Sequence, residues 1–175
     1  FLYLIECITI KLIPILNPEG AKAYTRVKAN QVDLNIDTQF LQEEDSKLLR
    51  AQFELFQPDF CFNLHDQRTI FSAGESPFPA TISFFTPAMK EEREIFPARI
   101  SSMKVIASMA EDLKRRIPNQ IGRYDDAYNI NCTGDNFQTL GVPTILFEAG
   151  HYSQDYSREK TREFVAQVIF SGLQS

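Results

Sequence analysis

Apolar residues along this chain fall into short runs separated by stretches of helical periodicity. The run Thr9-Ile10-Lys11-Leu12-Ile13-Pro14-Ile15-Leu16 is β-branched and aliphatic and stops at the turn signal Asn17-Pro18-Glu19-Gly20, which predicts a strand. Residues 20–39 are polar and irregular. Over residues 43–57, Leu48, Leu49, Phe53 and Phe56 recur at helical spacing until Pro58 ends the pattern, and Glu43-Glu44-Asp45 supplies an acidic first turn. Residues 60–64 read as a buried strand. Residues 81–85 read as another, after a loop carrying Gly74, Pro77 and Pro79. Pro97 opens a second helix, with Ile100, Met103, Ala107, Ala110 and Leu113 expected on its buried face and Lys114-Arg115-Arg116 suited to its C-terminal dipole. Residues 117–140 form a long loop with few apolar anchors, a length usually reserved for functional or disordered segments. Val142-Pro143-Thr144-Ile145-Leu146-Phe147 is a short buried strand that ends at Glu148. A last helix begins near Ser157 and runs through Phe164, Val165, Val168, Ile169 and Leu173.

Strands alternating with helices predict an α/β fold, with a mixed, mostly parallel sheet and helices packed on it. At 175 residues the chain makes one domain, 1–175, the first expectation. A net charge of −5 and the absence of any basic run argue against a nucleic-acid partner. The longest apolar stretches are too short to cross a bilayer, so a soluble, non-membrane protein is expected, of unknown compartment and oligomeric state. Cys7, Cys61 and Cys132 lack CxxC spacing and read as buried reduced thiols. The chain opens in an apolar segment, Phe1-Leu2-Tyr3-Leu4-Ile5, with no polar lead-in, and we expect its natural start to lie upstream.

Chemistry concentrates where the strand at 60–64 gives way to His65-Asp66-Gln67-Arg68. In α/β folds ligands collect at the carboxyl ends of strands. If the strands run parallel, Asn17, His65 and Glu148 emerge at one edge of the sheet. A carboxylate at the end of an apolar strand is costly without a partner, so Glu148 calls for a cation or a chemical role. Each residue has a plainer reading too. His65 alone could be a hydrogen-bonded strand-end histidine, Asp33 and Asn35 turn residues, Arg26 a surface charge, and His151 a loop histidine.

Four segments occur in order: Ile13-Pro14-Ile15-Leu16-Asn17-Pro18-Glu19-Gly20; Thr25-Arg26 followed by Val32-Asp33-Leu34-Asn35; Phe62-Asn63-Leu64-His65; and Thr144-Ile145-Leu146-Phe147-Glu148. In that order the chain resembles the later part of the catalytic domain of the zinc carboxypeptidase family, the carboxypeptidase A-like metallopeptidases. The resemblance implies zinc as cofactor and hydrolysis of a peptide or related amide bond by a metal-activated water. By position it implies His65 as a zinc ligand and Glu148 as general base and proton carrier. Arg26 matches the arginine that stabilises the oxyanion, Asn35 the amide that holds the substrate carboxylate, and Tyr128 the substrate-capping tyrosine, with Tyr124 close by.

Two departures qualify the resemblance. The family's other two zinc ligands come from an upstream His-x-x-Glu, which this sequence does not contain. Ile36 stands where the family has the arginine that clamps the substrate's terminal carboxylate, and Arg68 is the nearest substitute. Two alternatives follow. One is an aspartoacylase-like deacylase acting on N-acyl amino acids. The other is a metal-free binding module of the same fold. The expected partner is a peptide or N-acyl amino acid substrate.

Overall fold

The structure, a computed structural model, describes residues 6–175; the apolar opening at 1–5 lies outside them. Among the described residues nine elements follow one another: α1 (Pro18–Ala23), α2 (Glu44–Phe56), β1 (Cys61–Asp66), β2 (Ile82–Phe85), α3 (Pro97–Lys114), β3 (Ile121–Arg123), α4 (Thr133–Thr139), β4 (Thr144–Ala149) and α5 (Glu159–Gln174). The strands form one sheet in the order β1-β4-β2-β3, with β1–β4 and β2–β3 parallel and β4–β2 antiparallel. The fold is therefore α/β, with a mixed, mostly parallel sheet and helices on it. Among the described residues no helix is long and apolar enough to cross a membrane.

One face of the sheet is dry. Ile82 and Phe84 of β2 and Ile145 and Phe147 of β4 meet Met109 and Leu113 of α3 and Phe164 and Val168 of α5, all buried. Phe147 anchors this cluster, with ring centroids 5.1 Å from Phe62 and 5.4 Å from Phe84. α3 presents Ser102, Val105, Ile106, Met109 and Leu113 to this layer, a stripe at helical spacing but rotated from the expected one. Ile100 and Ala107 are exposed instead. The sheet selects the stripe that carries the bulkier side chains nearest its strands.

Three other expectations fail. Residues 9–16 form no strand, and Leu12 is 74% exposed. A strand exists only where a neighbour completes its ladder, and every sheet ladder among the described residues runs among β1, β4, β2 and β3. Pro14 also lacks a donor to offer. The long loop at 117–140 instead contains β3 and α4. β3 is a three-residue edge strand, and α4 is a mostly polar helix buried from Thr133 through Gln138, so neither has an apolar period to betray it. The three thiols are free, but Cys7 is exposed and Cys61 and Cys132 only half-buried.

Candidate functional site

β1 and β4 set the site by their register. They run parallel, and His65 lies opposite Glu148. Phe62 and Phe147 point into the dry core, so pleating sends Asn63, His65, Leu146 and Glu148 to the other face. α4 closes over that face: a Cβ on Gly134 would lie 3.4 Å from the Asn63 amide and 3.8 Å from Leu146. Beyond Glu148 the chain turns off at Gly150, where a Cβ would collide with the Ala80 carbonyl, so glycine is required there.

Arg26 arrives through a chain of local hydrogen bonds. Asn17 caps α1 by accepting from Gly20 N at 2.9 Å, and its amide donates to the Arg26 carbonyl at 3.2 Å. Gly20 is held to glycine by the same crowding, since a Cβ would meet the Asn17 side chain and the Thr25 carbonyl. Asn17 thus fastens the arginine loop and does not itself end a strand at the site. The Arg26 guanidinium donates through Nε to Asp33 at 2.6 Å, and the other Asp33 oxygen accepts from Asn35 N at 3.0 Å. The Asn35 carbonyl accepts from Thr133 N at 3.0 Å, which seats the loop on α4.

The electrostatics join these groups. Burial lowers the affinity of His65 for a proton below its ordinary 6.5; the Arg26 charge adds to this and Asp33 opposes it. His65 Nε2 is buried and has no hydrogen-bond partner among the described residues. Burial raises Glu148 above the ordinary carboxylate value; Arg26 pulls it back down and Asp66 pushes it up. Asp66 is answered by Arg158, which donates to it at 2.6 Å and to the Ala149 carbonyl at 2.9 Å. Arg26 therefore sits within electrostatic reach of both His65 and Glu148. Alongside, burial pushes Asp135 of α4 up to about 6 despite its hydrogen bond from Asn129 N at 3.2 Å. Cys132 is raised by burial, by Asp135 and by Asp33.

The structure thus gathers His65, Glu148 and Arg26, while Asn35 is tied in through its backbone, to Asp33 and to α4, with no hydrogen bond from its side chain among the described residues. Tyr128 is half-buried in the β3–α4 segment, and no hydrogen bond or ring contact joins its side chain to the other four. Tyr124 stacks on Phe85, with centroids 5.9 Å apart. His151 is a loop clasp: its Nε2 pairs with the Arg68 carbonyl at 3.2 Å. Ile36 is exposed beside Asn35. From the sequence Asp33 reads only as a turn residue, and no motif or period marks Arg158 or Asp135. The spacing of Asp33 to Arg26 carried no signal of their pairing.

A zinc ion finds one fitting donor here, the unpartnered neutral imidazole of His65, with the Glu148 carboxylate opposite. A catalytic zinc site takes three protein ligands, and among the described residues no group of three or more His, Cys, Asp or Glu side chains is placed to hold a metal. No family model, curated protein or solved structure matches the chain.

Proposed function

We propose that this chain carries part of the site of a zinc-dependent hydrolase that cleaves a peptide at its C-terminal residue, or a related amide bond. The observation that carries the reading is the buried, unpartnered Nε2 of His65 in register with Glu148, both within the field of Arg26. His65 would hold the metal together with two ligands contributed from outside the described residues. When bound, zinc supplies Lewis-acid polarisation of water and of the scissile carbonyl.

The chain's own residues do the rest. Glu148, its proton affinity raised by burial, accepts a proton from the attacking water and returns it to the leaving amine. Asp33 fixes the Nε edge of Arg26, which leaves the terminal nitrogens of the guanidinium free to face the developing oxyanion. Asn35, seated on α4 through its backbone, offers its side-chain amide to the substrate.

Ile36 favours a second reading within the same chemistry. An exposed isoleucine cannot clamp a terminal carboxylate, so the grip that the peptide reading expects is missing at this position. A panel of peptide and N-acyl substrates separates the two. The decisive test uses a form of the protein that carries a His-x-x-Glu segment. It should bind one zinc, and Glu148→Gln should keep the zinc while turnover falls about a thousandfold or more. Retained turnover in that variant removes the mechanism. A zinc-free protein would leave the binding-module reading in its place.

A further inference from the structure

We infer that the cleft between α3 and the β2–β3 edge is a second binding site, for a small carboxylate with a short apolar body. The cleft has a volume of about 250 Å³, and its walls include Phe84, Phe85, Met103 and Ile106. None of the residues assigned above to hydrolysis lines it.

Its polar groups are unevenly satisfied. Arg99 is 3% exposed, and its guanidinium donates through Nη1 to the Arg93 carbonyl at 2.7 Å and through Nη2 to Asp126, while Nε is buried without a partner among the described residues. A buried donor left unpaired is expensive, and Arg makes it more so because the group stays charged. Arg123, also in the wall, is exposed, and its side chain makes no hydrogen bond or ion pair among the described residues. The one carboxylate of the wall, Asp126, is already engaged by Arg99 and Arg93, and the Thr86 hydroxyl donates to the Gln138 side-chain oxygen at 3.4 Å. The cleft therefore has cationic donors to spare and no free carboxylate. That selects an anion over a cation, and a planar carboxylate matches guanidinium geometry. The volume lies just under the range of drug-sized sites, which limits the apolar body to a few carbons or one ring.

Hexanoate, hexanol and hexylammonium are the probes, titrated into the full chain by calorimetry and by amide chemical shifts. Hexanoate should saturate with a Kd on the order of 1 mM, with shifts at Phe85, Ile106 and Arg123. Hexanol should bind about tenfold more weakly and hexylammonium more weakly still. Arg123→Gln should weaken hexanoate about tenfold without loss of folding, because the residue is exposed. Met103→Trp should fill the cleft and abolish binding. His65→Ala should leave hexanoate binding unchanged, which separates this site from the hydrolytic one. Equal binding of hexanoate and hexylammonium, or shifts that cluster at His65, would overturn the inference, as would the lack of any saturable hexanoate binding.

Discussion

The two faces of the sheet are built from alternate residues of the same strands, yet they obey different physics. On one face Ile145 and Phe147 of β4 join Ile82, Phe84 and the buried sides of α3 and α5 in a dry cluster. On the other, one residue along, Leu146 and Glu148 lie beside Asn63 and His65 under α4, a helix of buried polar side chains. The first face holds, among the described residues, a single kind of exception, the unpartnered Ser102 hydroxyl of α3, amid otherwise apolar side chains. The second keeps groups in unfavourable states: an orphaned imidazole nitrogen, a carboxylate with raised proton affinity at Glu148 and another at Asp135. Strain of this kind persists only where a stable structure holds it, and it concentrates at functional sites. Stability and chemistry are thus divided by the strand's two-residue period.

The division breaks most simply from the dry side. Phe147→Ala removes the ring that touches both Phe62 and Phe84, in a cluster with no solvent to relax into. Denaturant unfolding should show a loss of about 3–5 kcal/mol with an unchanged m-value. A loss under about 1 kcal/mol would mean that the dry face does not carry the fold. Asp135→Asn tests the polar side with the opposite sign. Asp135 has its folded value raised to about 6 from an ordinary 3.8, so the native state holds the proton more tightly than the unfolded chain. The wild type therefore loses stability as pH rises through this window, and the loss is complete above about 6. Asparagine can still accept from Asn129 N and carries no charge. It should stabilise the protein above pH 6, on the order of 3 kcal/mol at most, and make little difference below the ordinary carboxylate value. Thermal melts at both ends of the range check it.

How much of this was legible beforehand follows from the same division. The apolar runs at 60–64, 81–85 and 142–147 became β1, β2 and β4, because a strand buried on a dry face leaves a compositional trace. His65 and Glu148 were visible as polar residues ending such runs, and parallel pairing then brought them together. What escaped notice was made of polar residues. α4 has no apolar stripe, and its buried amides are met by groups outside the helix: Gln138 accepts from Thr144 N at 2.9 Å, and Asn136 donates to Gln39 at 2.9 Å and to the Ile130 carbonyl at 3.2 Å. The reverse error came at 9–16, where a strand-like composition found no ladder partner among the described strands. The α3 stripe was misplaced by one residue of rotation, which a weakly amphipathic helix permits. Asp33 escaped because a salt bridge across seven residues of irregular loop has no period at all.

Asp33→Asn sharpens the polar side further. It keeps a side chain that can still accept from Asn35 N but removes the charge that orients Arg26 at 2.6 Å. If Arg26 faces the oxyanion, kcat/KM in a hydrolytically competent form should fall about tenfold or more, with folding intact because Arg26 is exposed, Asp33 is only half-buried and asparagine keeps the bond from Asn35 N. An unchanged kcat/KM would return Arg26 to the surface charges.

The smallest expected effect bears most directly on the comparison, because it concerns the neighbour of Phe147. Glu148 has its proton affinity raised by burial, more than Arg26 lowers it, so the sign matches that of Asp135: stability is lost as pH rises from the ordinary carboxylate value through the raised one. Glu148→Gln should therefore melt at a higher temperature than the wild type at neutral pH, by less than the Asp135 variant, and converge with it in acid. His65, whose value is lowered, destabilises the native state as pH falls through 6.5 in both proteins and cancels from the difference. One strand would then carry adjacent substitutions of opposite sign, Phe147→Ala destabilising the protein and Glu148→Gln stabilising it. That is the stability–activity exchange expected where a fold holds a catalytic base. If the Glu148→Gln variant instead melts lower at neutral pH, the carboxylate is a structural partner whose charge the fold needs, and the base assigned to hydrolysis must be sought elsewhere.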